Sequence, residues 1–255
     1  MYAEERQQAI ATLVGQAGRV SVAELAALYE VTNETVRRDL AALDRMGLVR
    51  RVHGGAVPAA ALTAIELGTG EREHTRAGEK DRIAKAALDF LPPSSGTVLF
   101  DAGTTTARVA AALPADRELF AVTNSVPIAA RLSAAAGVHL HLLGGRVRGV
   151  TQAAVGAETL RMLGDLRVDV AFVGTNAISV PHGLSTPDPD EAAVKRAMIA
   201  AANRIVVVAD SRKIGREDFV RFGTVDEVDV LVTDTELAPS VGRELADHGI
   251  EVVTA

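Results

Sequence analysis

Residues 99–110 read LFDAGTTTARVA, and this stretch decides the fold that we predict for most of the chain. An apolar run ends at Asp101, Gly103 follows, and three threonines precede an Ala-rich segment with a helical pattern. A strand that turns into a helix in this way is typical of parallel α/β sheets, which bind ligands at the carboxyl ends of their strands. The helix start offers free N–H groups and the positive end of the helix dipole. The stretch therefore predicts a phosphate-binding turn, in which Thr104, Thr105 and Thr106 offer hydroxyl groups.

The pattern of a strand followed by a helix repeats from Gly78 onward. Short β-branched runs alternate there with Ala-rich segments, which predicts a mostly parallel α/β sheet covered by helices on both faces. The predicted strands are 97–100, 119–123, 138–143, 169–173, 205–209, 229–233 and 250–253. The predicted helices are 79–90, 105–112, 126–136, 190–202 and 239–247.

Residues 1–57 have a different pattern, that of three helices and a hairpin. Ser21 and Glu24 have the spacing of a capping box at the start of the second helix. Thr32 is a candidate N-cap for the third helix. The segment LVRRVHGGAV at 48–57 alternates around a Gly-Gly pair, which predicts a short hairpin. Together these elements predict a winged helix-turn-helix, whose third helix enters the major groove of DNA.

The charge distribution supports DNA binding by this part of the chain. The net charge is −6, but five of the seven arginines in residues 1–55 lie between residues 37 and 51. Arginine can bind guanine edges or backbone phosphate. The alternative is a helical lobe whose arginines are merely solvated. The predicted DNA-contacting residues are Thr32, Asn33, Thr35, Arg37, Arg38, Arg45, Arg50, Arg51 and His53.

Three segments are predicted along the chain. Residues 1–57 form the DNA-binding domain, 58–78 form a linker of mixed character, and 79–255 form a domain for effector binding and oligomerisation. The sequence has no cysteine, which excludes disulfides, thiolate metal sites and cysteine nucleophiles. The longest apolar runs are too short to cross a bilayer. We expect a soluble cytoplasmic protein with no membrane partner, no metal and no cofactor.

The segment NETVRRDLAALDRMGLVRRVHGGAV at 33–57 strongly resembles the helix-turn-helix and wing of the DeoR family of bacterial sugar-metabolism regulators. The resemblance continues through DAGTTT, VTNS, EAAVKRAMI and other motifs in the same order, so it covers essentially the whole chain. It implies a homo-oligomeric regulator, a dimer or tetramer, that binds operator DNA and a phosphorylated sugar. It also implies a C-terminal fold like that of sugar-phosphate isomerases. The segments MYAEERQQ and HGLSTPDPDEAAVKRAM most resemble fructose-operon regulators, which makes fructose 1-phosphate the first candidate effector.

The resemblance also implies which residues contact the effector. The threonines and Lys213 would bind the phosphate, and Asp101, Asn124 and Glu191 would bind sugar hydroxyls. The full predicted set is Asp101, Gly103, Thr104, Thr105, Thr106, Asn124, Gly145, Asn176, Glu191, Lys195 and Lys213. Many family members carry an acidic residue at the position of Asn176.

Each of these residues also has a structural alternative. The threonines can be a helix cap, and Lys213 can be a solvated loop lysine. Glu191 and Lys195 have the i, i+4 spacing of an ordinary surface ion pair. Four polar strand ends in one sheet favour a binding site over these alternatives.

An enzyme is the alternative function, in the form of a sugar-phosphate isomerase or an aminosugar-phosphate deaminase with an accessory DNA-binding domain. Such chemistry needs a group that moves a proton at the sugar carbonyl. Asp101, Glu191 and His182 are the candidates for that role. No strand is followed by G-x-G-x-x-G, and no P-loop is present, so a nucleotide site is not expected. An attached DNA-binding domain favours sensing, and we predict no catalytic residues.

Overall fold

The computed structural model describes residues 3–17, 20–46, 48–52, 54–58 and 68–255. The chain divides into two compact units, an N-terminal unit of residues 1–66 and a C-terminal unit of residues 67–255.

The N-terminal unit contains three helices and a small antiparallel sheet. Its elements are α1 (Ala3–Ala17), β1 (Val20–Ser21), α2 (Val22–Leu28), α3 (Asn33–Arg45), β2 (Val49–Val52) and β3 (Gly55–Pro58). The strands pair in the order β1-β3-β2. The three helices and the hairpin confirm the predicted pattern, and the two-residue strand β1 was not predicted.

Local capping and an apolar core explain the first unit. The side chain of Ser21 accepts from the amide of Glu24 and the carboxylate of Glu24 accepts from the amide of Ser21, which confirms the capping box. Thr32 caps α3 through the amide of Thr35. The core consists of Ile10, Val14, Leu25, Val36, Leu40, Leu43 and their apolar neighbours, so the predicted inner face of α3 is confirmed.

A buried ion pair joins α1 to α3 in the same unit. Arg6 Nε lies 2.6 Å from Asp39 Oδ2, and Gln7 donates to the other carboxylate oxygen at 3.0 Å. Each of these polar groups has a partner, so the pair fixes how the first helix packs on the third without leaving a buried charge unpaired.

The C-terminal unit begins with two helices that lie partly in the predicted linker. Helix α4 spans Thr69–His74 and helix α5 spans Ala77–Ala87. The amide and hydroxyl of Thr69 both donate to the carbonyl of Val150. Residues 68–78 are therefore folded onto the unit, because contacts distant in sequence hold a segment whose local composition suggested a linker. The rest of the predicted linker, 59–67, lies outside the described residues.

A seven-stranded sheet forms the centre of this unit, and every strand pair in it is parallel. Its strands are β4 (Gly96–Phe100), β5 (Leu119–Thr123), β6 (Val138–Leu142), β9 (Val168–Val173), β12 (Ala202–Val208), β14 (Val230–Thr233) and β15 (Glu251–Thr254). Their order across the sheet is β15-β14-β12-β9-β4-β5-β6. Alternate residues enter two separate cores, as Leu99 and Phe100 show, so the sheet is covered on both faces.

The predicted helices of this unit are present. Helices α6 (Thr104–Ala111), α7 (Val126–Leu132) and α9 (Pro189–Ala201) have shifted ends, and α10 (Pro239–Asp247) has the predicted bounds. Helix α8 (Ala157–Gly164) and two small antiparallel sheets were not predicted. Those sheets contain β7 (Arg146–Arg148) with β8 (Ala153–Val155), and β10 (Ala177–Ser179) with β11 (Gly183–Thr186) and β13 (Val220–Gly223). Their strands are three or four residues long, too short for a reliable alternation of apolar and polar side chains.

Candidate functional site

A polar cleft lies at the carboxyl ends of β4, β9 and β12, where ligands bind in parallel sheets. It is lined by Arg72, Ala102, Gly103, Thr104, Thr105, Thr106, Gly174, Thr175, Asn176, Glu191, Lys195, Val208 and Lys213. The cleft thus brings together eight of the eleven residues predicted to contact an effector.

The turn from β4 into α6 forms one wall of the cleft. Gly103 is the N-cap residue of α6, and no side chain caps the helix. The hydroxyl of Thr106 donates to the carbonyl of Gly103 at 2.9 Å. The interpretation of the threonines as a side-chain cap is therefore wrong. The first-turn N–H groups have no partner within the helix, so they are available to an anion.

A buried ion pair lies beside this turn. Lys195 Nζ, on α9, contacts the carboxylate of Asp101 and donates to the carbonyl of Gly174 at 2.9 Å. The amide of Gly174 donates to Asp101 at 3.0 Å. Burial raises the pKa of Asp101, and the charge of Lys195 opposes that rise. The pair fixes the ends of β4 and β9 relative to α9.

Glu191 is also buried and engages a different partner from Lys195. Its carboxylate accepts from Arg148 at 2.8 Å and from the hydroxyl of Thr151. The alternative of a surface pair between Glu191 and Lys195 is therefore wrong. Glu191 and Lys195 belong to two separate hydrogen-bond networks beside the cleft.

Lys213 supplies a cation on the opposite wall. Its ammonium group donates to the carbonyl of Thr175 at 2.7 Å, so Lys213 is not a solvated loop lysine. Burial lowers the pKa of Lys213 to about 7. The positive charges of Arg72, Lys80 and Lys195 contribute to the lowering, while Asp210 opposes it. Several like charges around one cleft suit a dianionic ligand such as a phosphate monoester.

Arg72 was not predicted to belong to the site. It lies on α4, which sequence analysis assigned to the linker. The backbone carbonyl of Arg72 accepts from the buried Lys80. Burial, followed by the charge of Arg72, lowers the pKa of Lys80 to about 8. The cleft also includes Gly174 and Thr175, which belong to one of the polar strand ends in the sequence, and Ala102 and Val208, whose apolar side chains give no signal of a site.

Three predicted contacts, Asp101, Asn124 and Gly145, do not line the cleft. Asp101 lies behind it in the ion pair with Lys195. Asn124 accepts from the amide of Ala102 at 3.1 Å and donates to the carbonyl of Ala154 at 3.1 Å. Gly145 has a φ of +140°, and a β-carbon there would lie 2.3 Å from the hydroxyl of Thr159. All three are explained by structural contacts, and their predicted contacts with an effector remain predictions.

The candidate acid–base groups are not arranged as a free catalytic pair. The carboxylates of Asp101 and Glu191 both accept from cations. His182 does not line the cleft, and its Nε2 lies 3.2 Å from the carbonyl of Asp218. The arrangement can hold an anionic ligand with hydroxyl groups.

The N-terminal unit presents the predicted DNA-contacting face of α3. Arg37 and Arg38 are exposed, and Arg37 lies 3.8 Å from Glu34. Thr32 and Asn33 are exposed at the start of the helix, and Thr35 is partly exposed. The side chains of Arg45, Arg50 and Arg51, and the whole of His53, lie outside the described residues.

Two other properties concern the part of the chain that the structure describes. None of its helices is long and apolar enough to cross a membrane. Its His, Asp and Glu side chains form no group of three that could hold a metal ion.

The winged helix-turn-helix and the polar cleft together define a DNA-binding regulator with a ligand-sensing unit. Residues 6–60 match the DeoR-like helix-turn-helix domain, and residues 75–235 match the DeoR C terminal sensor domain. The chain belongs to the DeoR family of transcriptional regulators. The resemblance noted in the sequence is thereby confirmed.

Similar proteins have names of the same kind. The HTH-type transcriptional regulator GlpR of Haloferax volcanii is 37% identical over 99% of this chain and 98% of its own length. The glycerol-3-phosphate regulon repressor of Escherichia coli is 34% identical over 97% of each chain. These names support the prediction that the protein is a DNA-binding regulator and not an enzyme. Among solved structures, ribose 5-phosphate isomerase A from Methanocaldococcus jannaschii matches 55% of each chain with a TM-score of 0.40 and 16% identity.

Proposed function

We propose that the protein represses a sugar-utilisation operon and that a phosphorylated sugar in the cleft lowers its affinity for operator DNA. One observation carries the proposal: the uncapped start of α6 and the ammonium group of Lys213 line the same cleft. The first candidate effector is fructose 1-phosphate, which rests on the sequence resemblance alone. The name of one relative refers to glycerol 3-phosphate, which supports a small phosphorylated polyol as the class of ligand.

The proposed ligand binds with its phosphate at the start of α6. The N–H groups and hydroxyls of Thr104 and Thr105 donate to phosphate oxygens, and Lys213 supplies a positive charge. Asn176 and Glu191 line the same cleft and hold sugar hydroxyls. The turn from β4 into α6 is supported by three residues that lie behind and beside it, namely Asp101, Asn124 and Gly145.

DNA binding is assigned to residues 1–57 and effector binding to residues 79–255, with α4 added to the latter. The third helix, with Arg38 exposed, enters the major groove, and the hairpin contacts the backbone. Such folds bind paired half-sites about one helical turn apart or a multiple of that, so the protein acts as a homo-oligomer. The proposed place of action is the cytoplasm, where bacterial operator DNA lies.

A ligand panel tests this function. Calorimetry on the full chain with fructose 1-phosphate and other sugar phosphates measures binding, and operator titrations with and without each ligand measure the response. We expect one sugar phosphate to bind and to weaken operator binding, without being converted. Product analysis of the same mixtures is the control. Steady conversion that is lost in Glu191→Gln would show an enzyme of the isomerase or deaminase kind instead.

A further inference from the structure

The two edges of the seven-stranded sheet differ in how they are protected. An edge strand presents unpaired backbone groups, which proteins usually shield with charged side chains, proline or a covering segment. Strand β15, at one edge, begins with Glu251, whose carboxylate lies 3.2 Å from the guanidinium group of Arg204. Strand β6, at the other edge, has the sequence VHLHL, without a carboxylate, lysine, arginine or proline. Among the described residues no strand pairs with the outer side of β6, so this edge is suited to accept another strand.

The backbone register shows which groups of β6 point outward. The amide of Leu119 donates to the carbonyl of Gly137 at 2.9 Å. The amide of Leu143 donates to the carbonyl of Thr123 at the same distance. Odd-numbered residues at this edge therefore direct their backbone groups to β5. Because the direction alternates along a strand, the N–H and C=O groups of Leu140, at the centre of β6, point away from the sheet.

Large side chains are exposed on both faces of this edge. Phe120 of β5 is 49% exposed, and its ring stacks on that of His139 with 4.9 Å between the ring centroids. His141, two residues later on the same face, is exposed as well. Leu142, on the opposite face, is 47% exposed. A strand added at this edge would remove apolar surface from water, which stabilises the pairing.

A second copy of this chain fits the edge by symmetry. When two β6 strands meet antiparallel across a two-fold axis at Leu140, their outward backbone groups lie in register. Leu140 then exchanges hydrogen bonds with Leu140 of the second copy, and Val138 pairs with Leu142 in the same way. The edge is therefore complementary to itself.

Charged residues near the two ends of β6 favour the same arrangement. Glu118 is exposed beside the amino-terminal end, since its neighbour Leu119 pairs with Val138. Arg146 is exposed beyond the carboxyl-terminal end, and its ion pair with Asp190 is itself exposed, so the pair contributes little and can rearrange. Antiparallel pairing places the acidic end of one copy beside the basic end of the other.

We propose that two copies of this chain associate through β6, which joins their seven-stranded sheets into one continuous sheet across a two-fold axis. The inference rests on the proposed function, in which paired half-sites require two DNA-binding units, and it assigns the surface that pairs them. An antiparallel pair within an otherwise parallel sheet is a common arrangement.

The absence of cysteine from the sequence allows a direct test of the register. In a hydrogen-bonded antiparallel pair the α-carbons lie about 5.5 Å apart, within the range that a disulfide spans. Leu140→Cys in the full chain should therefore form a covalent dimer on mild oxidation, seen by electrophoresis without reductant. Val252→Cys is the matched control on β15 and should remain a single chain.

Proline and lysine variants test the pairing without a cross-link. Leu140→Pro removes an outward N–H, which an edge strand tolerates, so the protomer should fold and the pairing should be lost. Val252→Pro, at the opposite edge, should keep the wild-type oligomeric state. Phe120→Lys should raise the dissociation constant of the pair by about 10- to 100-fold. Phe219→Lys, at a phenylalanine that is 56% exposed elsewhere in the unit, should leave it unchanged. Analytical ultracentrifugation measures the association, and circular dichroism checks the fold.

Hydrogen exchange of residues 138–142 in the wild type decides the question if Leu140→Pro does not fold. The exchange should slow as the protein concentration rises. Slow exchange at every concentration would mean that the edge is covered within one chain, which overturns the inference.

The remaining outcomes separate the inference from the proposed function. If Leu140→Pro and Phe120→Lys both fold and keep the wild-type oligomeric state, β6 is not the interface, and the proposed function stands with another pairing surface. A wild-type dimer that β6 variants dissociate, but that binds no DNA, would overturn the proposed function alone. A wild-type monomer on operator DNA would overturn the inference together with the proposed assembly.

Discussion

The ammonium group of Lys195 and the carboxylate of Asp101 form a buried ion pair that joins α9 to the end of β4. The two residues are 94 positions apart in the chain, and each is less than one-twentieth exposed. The pair lies directly behind the cleft, so the shape of the proposed effector site depends on it.

Asp101→Asn should lower the free energy of unfolding of the C-terminal unit by about 3 kcal/mol, because it leaves the buried ammonium group of Lys195 unpaired. Urea denaturation measures the change. In the double variant Asp101→Asn/Lys195→Met no charge remains unpaired. Its loss in free energy of unfolding should therefore be smaller than the sum of the losses in the single variants Asp101→Asn and Lys195→Met. If the two losses add, the pair does not act as a unit.

Lys213→Ala should leave operator binding unchanged and remove operator release at ligand concentrations that saturate the wild type. The physical reason is the loss of a cation that lines the cleft beside the start of α6. Electrophoretic mobility shift with increasing sugar phosphate measures the response. Arg212→Ala, at the exposed neighbour, is the control and should respond like the wild type. Normal release by Lys213→Ala would remove the lysine from the phosphate site.

Effector binding at pH 8 should take up about one proton. The pKa of Lys213 is about 7 in the free protein, below its ordinary value of 10.5, so its amine is mostly neutral at pH 8. A bound phosphate dianion favours the charged form and raises that pKa, so ligand affinity should fall as pH rises from 7 to 9. Calorimetry in buffers of different ionisation enthalpy counts the proton.

Lys213→Met should lose the larger part of this proton uptake, and Lys80, with a pKa of about 8, accounts for the remainder.

The lowered pKa of Lys213 also affects the stability of the folded protein. The unfolded chain binds the Lys213 proton more strongly, so the ligand-free protein should become more stable as pH rises from 7 to 10.5. Effector binding at pH 8 without proton uptake would contradict the proposed pairing of a phosphate dianion with Lys213.

Arg38→Ala should weaken operator binding and reduce the preference for operator over random DNA, because this exposed side chain lies on the outer face of α3. Arg51→Ala, in the predicted wing, should weaken binding to both DNAs about equally and lower the salt slope by about one unit. Fluorescence anisotropy at several salt concentrations measures both effects. Unchanged affinity in both variants would contradict the predicted DNA-contacting face.

Light scattering should show at least a dimer at micromolar concentration with operator DNA present, since one winged helix-turn-helix offers only a small interface. Residues 67–255, the whole C-terminal unit, should retain the oligomeric state when produced alone. A monomer on the operator would contradict the proposed assembly.

The sequence predicts the parallel sheet well because its strands are continuous apolar runs, and β5 and α10 have the predicted bounds. It fails where tertiary contacts determine structure. Helix α4 has no strong local signal, and its contact with Val150 depends on a loop far along the chain. Arg72 was missed for that reason. Asp101 and Asn124 were recognised as polar strand ends, but no sequence pattern shows that their polar groups bond to neighbouring backbone and side chains.

The strand order has a consequence for how the chain folds. Strand β4 pairs with the central strand β9, some seventy residues later, and the sheet is complete only when β15 has joined β14. Parallel pairing over such separations is slow, because a long loop must close before any contact compensates its entropy. The N-terminal unit relies on contacts within fewer than sixty residues, so we expect it to fold before the rest of the chain has been made. Each round of synthesis should then include a period in which the DNA-binding fold exists and the cleft that would control it does not.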